Sequence, residues 1–177
     1  MDFLKIDYLK DGNERQKLAF DTLVNHQIME KLTAYHPILT GTIPINIDIE
    51  SSDLDIICYW QDRISFAAKI EASLGLEKDF TLRELSIDGH QTIIANFKID
   101  KFEIEIFGQN IPTIKQNAYL HMLIEHRILK ENGEDFRLKV IQLKKEGYKT
   151  EPAFAKLLNL KGNPYQSLLQ LLSTVNS

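Results

Sequence analysis

Hydrophobic positions along the chain recur first at helical spacing, then at strand spacing, then at helical spacing again. Phe20, Leu23, Val24, Ile28 and Leu32 lie three to four residues apart, which predicts an opening helix capped by Asp11 or Asn13. Pro37 and Gly41 break that pattern. The stretch PILTGTIPINIDIESSDLDIICYW is rich in isoleucine and short of helix formers. It reads as a strand near 37–40, a turn around Gly41–Pro44 and a strand near 53–60. Residues 61–74 return to helical period, with Ile64, Ala67, Ala68 and Leu74 on one side and Gly75 as the stop. Strands are predicted at 80–87, 91–99 and 102–107, with Asp88–Gly89 as a hairpin turn and Asp100–Lys101 as a weaker one. Beyond Gly108 and Pro112 the period is helical, over 112–131, 134–146, 151–160 and 164–175. Asn132–Gly133, Gly147 and Gly162–Asn163–Pro164 punctuate these helices, and Thr150–Glu151–Pro152 reads as a cap with proline in the first turn.

Strands gathered between residues 37 and 107, followed by helices, describe an α+β fold. The expected architecture is a mixed or largely antiparallel sheet with flanking helices and a C-terminal helical extension. An α/β core over residues 1–110 would carry a helical region, 111–177, packed on it. Composition narrows the function. The chain has 21 basic and 25 acidic residues and a net charge of −4, which argues against gripping nucleic acid by bulk positive charge. The lone Cys58 lies in the five-residue apolar run Ile56–Trp60, so it reads as a small core hydrophobe and no intrachain disulfide can form. That run is far short of the roughly 20 residues a membrane span needs. Asp2, Lys5 and Asp7 interrupt the N-terminal segment, so no signal peptide is predicted and a cytoplasmic location is expected.

The segment that carries chemistry is Gly41-Thr42, ten intervening residues, then Asp53-Leu54-Asp55-Ile56-Ile57. Alternate residues of a strand share a face, so Asp53 and Asp55 point together while Leu54 and Ile56 point into the core. Two carboxylates this close repel unless a cation lies between them. Carboxylate oxygens are the ligands Mg²⁺ takes, usually with substrate phosphates completing its shell. Gly41-Thr42, after a strand, offers close backbone approach and a hydroxyl to phosphate oxygens. A further acid is available in Phe102-Glu103-Ile104-Glu105-Ile106-Phe107, where Glu103 and Glu105 share one face. Should this strand lie beside the Asp53/Asp55 strand, three or four carboxylates converge on a two-metal site.

These residues resemble the nucleotidyltransferase superfamily of the polymerase-beta type: a Gly-Thr turn, about ten residues, Asp-x-Asp in a strand preceded here by Ser52, and a third acid on a later strand. Gly41-Thr42-Ile43-Pro44 followed by Ile47-Asp48-Ile49 is similar to the GrpB-like branch. Gln116-Asn117-Ala118-Tyr119-Leu120-His121-Met122-Leu123-Ile124-Glu125 is similar to an uncharacterised bacterial branch. The resemblance implies Mg²⁺ or Mn²⁺ held by Asp53, Asp55 and a third acid, with Gly41, Thr42 and Ser52 on the nucleotide. It also implies transfer of a nucleotidyl group from a nucleoside triphosphate to a hydroxyl acceptor of unknown identity, with release of pyrophosphate. Glu replaces the commoner Asp at the third position. Either Glu105 or Glu103 completes the set, with Glu105 preferred for the more regular apolar alternation around it. The rival reading is a nucleotide- or partner-binding module of the same fold without turnover.

Other signals have plainer readings. Asn117, His121 and Glu125 recur every four residues, which predicts one polar stripe, read first as a helix surface with a His–Glu pair and alternatively as a face turned to the cleft where His121 or Asn117 contacts a phosphate, base or acceptor. His121, Glu125 and His126 lack the two-histidine spacing of a zinc-protease helix, so no zinc is expected. Tyr59 and Trp60 read as core or cleft-wall aromatics. Lys98, Lys101, Lys115 and Arg127 could offset a triphosphate, although lysines in such places are usually solvated.

Overall fold

The structure, a computed structural model, describes residues 1–173. A 3₁₀ turn at Asp7–Asp11 leads into α1, Glu14–Asn25. Of the two predicted caps Asn13 does the work: its side chain accepts from Gln16 N–H, and the Gln16 side chain accepts in return from the Asn13 N–H. The opening helix does not run on to Leu32. Gln27 takes a left-handed conformation at φ 54°, and only a short α2, Ile28–Lys31, follows.

Five strands then build one sheet: β1 Ile38–Thr40, β2 Leu54–Tyr59, β3 Lys78–Ile87, β4 His90–Ile99 and β5 Phe102–Gln109. Their lateral order is β1-β2-β5-β4-β3. The pairs β1/β2, β4/β5 and β3/β4 are antiparallel, while β2 and β5 run parallel. The sheet is therefore mixed. The β3–β4 hairpin turns at Asp88 and Gly89, both at positive φ, the conformation that a tight two-residue turn requires. Gly108, expected as a break, lies inside β5 instead. A Cβ there would collide with the ring of Phe66, so glycine makes room for a core aromatic rather than ending the strand.

Between β2 and β3 lies α3, Arg63–Leu74, capped by Asp62. Its buried side is Phe66, Ile70 and Leu74, while Ile64, expected inward, is 73% exposed. Phe66 and Ile70, with Ala19 and Leu23 of α1, pack on the sheet face formed by Leu54, Ile56, Ile93, Ala95, Phe97, Ile104 and Ile106. Cys58 is buried in that layer, as its sequence context predicts.

The chain then turns helical. A 3₁₀ turn at Thr113–Lys115 precedes α4, Asn117–Lys145, so the helix starts later than Pro112. Gly133, at φ 75°, breaks α4 where Asn132–Gly133 was expected to divide two helices. Two shorter helices follow, α5 Thr150–Leu157 and α6 Pro164–Ser173. Thr150 does not cap α5: Lys149 is the cap residue and supplies no side-chain hydrogen bond. Residues 174 and 175 of the last predicted helix lie outside the described residues. No strand follows β5 among the described residues, and none of their helices is long and apolar enough to cross a membrane. A second apolar cluster unites α4, α5 and α6 with Phe3, Ile45 and Ile47.

Candidate active-site cleft

The face of the sheet turned away from α1 and α3 opens onto a cleft of about 1050 Å³, closed on its far side by α4, the start of α5 and the loop between them. Register defines the floor. Thr40, Asp55, Glu105 and Asn96 are successive lateral partners across β1, β2, β5 and β4. Laterally paired residues share a face, so Asp55 and Glu105 stand side by side. Asp53, two residues before Asp55, lines the same cleft.

Neighbouring groups hold these acids in place. Asn96 Nδ2 donates to Glu105 Oε2 at 3.2 Å, and Arg83 Nη2 donates to Asn96 Oδ1 at 2.9 Å. Gly41, at φ +81°, passes so close to Asp55 that a Cβ would collide with its Oδ2. Glycine is thus required twice, for backbone conformation and for space beside a carboxylate oxygen. Thr42 Oγ1 donates to Ser52 Oγ at 3.1 Å, and Ile49 N–H donates to the same oxygen at 3.0 Å. Arg15 of α1 pins this loop through the carbonyls of Glu50 and Ser52 and an ion pair with Asp48.

Burial, then the charges of Asp53 and Glu105, push the Asp55 pKa up to about 7, opposed by Lys144 and Lys149. Lys144 comes from α4 and donates to the Ile47 carbonyl at 2.9 Å. Burial pushes its amine down to about 8, against the pull of Asp48, Glu125, Asp55 and Asp53. Three carboxylates gathered in one cleft, with space kept beside Asp55 Oδ2 by Gly41, form a donor set that fits a hard divalent cation.

The structure thus brings Gly41, Thr42, Ser52, Asp53, Asp55 and Glu105 to one cleft. Glu103 is on the same face of β5 but does not line the cleft; it is exposed and pairs with Lys98 at 3.2 Å. The stripe on α4 departs from the favoured helix-surface reading and follows the cleft-facing alternative. His121 and Glu125 are buried and line the cleft, because the helix face they occupy is turned toward the sheet and covered by α5 and α6. Asn96 and Lys144 escaped the sequence reading, although both left a trace. Asn96 interrupts an apolar strand, and Lys144 falls one turn after the buried Val140.

Residues 21–171 match the family described as a domain of unknown function, DUF4269. The chain belongs to that family. No curated protein matches this DUF4269 chain by sequence. Solved structures do resemble it. The Cid1 poly(U) polymerase with MgGTP bound is 16% identical, with a TM-score of 0.52 over 78% of this chain and 42% of that one. The GLD-2/RNP-8 complex is 13% identical, with a TM-score of 0.51 over 84% of this chain and 56% of that one. A cytoplasmic RNA terminal U-transferase is 15% identical, with a TM-score of 0.51 over 74% and 39%. The DUF4269 chain therefore spans little more than half of these chains at most. The likeness shows that it has the nucleotidyltransferase fold, an α+β structure with a mixed five-stranded sheet flanked by helices.

Proposed function

We propose that this protein is a metal-dependent nucleotidyltransferase that moves a nucleotidyl group from a nucleoside triphosphate to a hydroxyl acceptor. The observation that carries the reading is the lateral pairing of Asp55 with Glu105 on parallel strands, with Asp53 in the same cleft and Gly41 clearing space beside Asp55. Asp53, Asp55 and Glu105 would hold Mg²⁺ or Mn²⁺. The ion, when bound, neutralises triphosphate charge and polarises the phosphorus under attack.

The chain's own groups do the rest. Backbone N–H groups of the Gly41–Thr42 turn and the hydroxyl proton of Ser52 bind phosphate oxygens. Lys144 and Lys149, whose charges already act on Asp55, offset the negative charge brought in. The acceptor oxygen bonds to the α-phosphorus as the bond to pyrophosphate breaks, and its proton passes to a carboxylate oxygen of Glu105 that Asn96 orients. Residues 1–110 act as the nucleotide-binding core and 111–177 as the helical region that closes the cleft and selects the acceptor. The Gly41–Pro44 and Ile47–Ile49 segments support kinship with the GrpB-like branch.

The solved relatives favour an RNA acceptor, since those of their descriptions that name an activity give poly(U) polymerase or RNA terminal U-transferase. The rival reading, a binding module without turnover, is disfavoured by a third acid standing beside Asp55. The test is to incubate the chain with Mg²⁺, each labelled nucleoside triphosphate and either RNA or cell extract. Labelled product with pyrophosphate release, lost on Asp55→Asn, is expected. Orthophosphate alone, or binding without product, would overturn it.

A further inference from the structure

The helical wall of the cleft carries a second set of donors that the acids of the sheet do not use. His121 and Glu125 lie one turn apart on α4 and are only 6% and 4% exposed. Glu151, in the first turn of α5, faces them, and one ligand atom from each of the three lies within 4.8 Å of the others. Nδ1 of His121 and Oε1 of Glu125 are buried without a hydrogen-bond partner. Unpaired polar atoms inside a fold are costly and uncommon, and two together mark a place where something binds. Lys144 does not fill this role: it acts on Glu125 through charge, while its amine donates to the Ile47 carbonyl and leaves Glu125 Oε1 unpaired. Tyr165 of α6 packs its ring against the His121 ring edge to face, with centroids 6.1 Å apart, which fixes the imidazole without giving it an acceptor. A proton shared between the two glutamates would quiet their repulsion but would leave the imidazole nitrogen unpaired.

We infer that His121, Glu125 and Glu151 form a binding site for a first-row transition-metal ion of the zinc class, separate from the carboxylates on the sheet. The imidazole separates this ion from Mg²⁺, which takes oxygen ligands, whereas imidazole with carboxylate suits Zn²⁺ and its neighbours. Three protein donors at the wall of an open cleft leave a coordination position free, the donor count of an open site rather than of a closed structural one. Spacing along α4 alone gave no reason to expect zinc, because the third donor arrives from another helix. The site draws on none of the sheet acids, so it stands or falls independently of the nucleotidyl-transfer reading.

The experiment uses the full chain carrying Asp53→Asn and Asp55→Asn, stripped with chelator and held in excess Mg²⁺. Zn²⁺ is titrated calorimetrically, and Co²⁺ uptake is followed by its visible absorption. One Zn²⁺ per chain is expected, with affinity falling at least about tenfold when His121→Gln or Glu151→Gln is added. Glu151 is only partly buried at a helix start, so its variant decides the question even where a change at His121 impairs folding. No Zn²⁺ uptake in this background would overturn the site. So would uptake that Glu151→Gln leaves unchanged, or uptake that Mg²⁺ suppresses as readily as Zn²⁺ supports it.

Discussion

Asp55 shows how a single residue can be destabilising and useful together. Its folded pKa is about 7 against an ordinary value of 3.8. Between those values the folded protein keeps a proton that the unfolded chain has lost, so ionisation weakens the fold. In metal-free buffer the Asp55 contribution to stability therefore falls as pH rises from about 4 to 7 and is level above. The full cost is at most about 4 kcal/mol. Asp55→Asn should accordingly raise the melting temperature clearly at pH 8 in chelator and by less than half as much at pH 5. Thermal melts at the two pH values check this, and a stabilisation that is equal at both would contradict it. Gly41→Ala makes the complementary case. It forces a Cβ into left-handed backbone and against the Asp55 carboxylate, so a loss of roughly 2 kcal/mol is expected. The urea midpoint reads that loss, and a parallel drop in Mn²⁺ affinity shows that the carboxylate has moved.

At the scale of elements, alternation along each strand was legible in the sequence, but the neighbours of each strand were not. Glu103 and Glu105 share a face whatever the topology; only the parallel pairing of β2 with β5 puts Glu105, not Glu103, beside Asp55. That pairing is made by a crossover through α3, β3 and β4, and no local signal encodes it. The stripe on α4 has the same character. Helical spacing exposes its period, yet which side is buried depends on α5 and α6, far along the chain. Gly133 and the Asp88–Gly89 turn were legible because each is a local backbone demand. The register makes a prediction. Glu105→Gln should lower turnover by about 10²–10⁴-fold with nucleotide affinity nearly unchanged, since the proton acceptor is lost while Asp53 and Asp55 remain. Glu103→Gln should be close to silent, because its partner is the exposed Lys98. Single-turnover rates and nucleotide titrations on the two variants check the pair, and equal losses in both would refute the assignment.

Across the whole molecule, the helical region is keyed into the core by polar contacts as well as by packing. Arg137 Nη1 donates to the Asn46 carbonyl at 2.8 Å and Lys144 Nζ to the Ile47 carbonyl at 2.9 Å, both on the loop between β1 and β2. Gln116 Nε2 donates to the Cys58 carbonyl at 2.9 Å, at the far end of β2. Phe3, Ile45 and Ile47 are buried only as members of the cluster that α4, α5 and α6 complete. Removing the helices would expose those three side chains and strip the loop carrying Ser52 of its ties to α4, leaving only those made by α1. The chain should therefore unfold as one cooperative unit, although it has two apolar clusters. Trp60, in the cluster beneath the sheet, reports on the core, while far-UV circular dichroism is dominated by the helices. The two probes should give the same urea midpoint, and a chain cut after residue 110 should fail to reach a cooperative transition. Separate midpoints would mean that the wall of the cleft detaches from its floor, and the acids of the sheet and the donors of α4 would then face each other only part of the time.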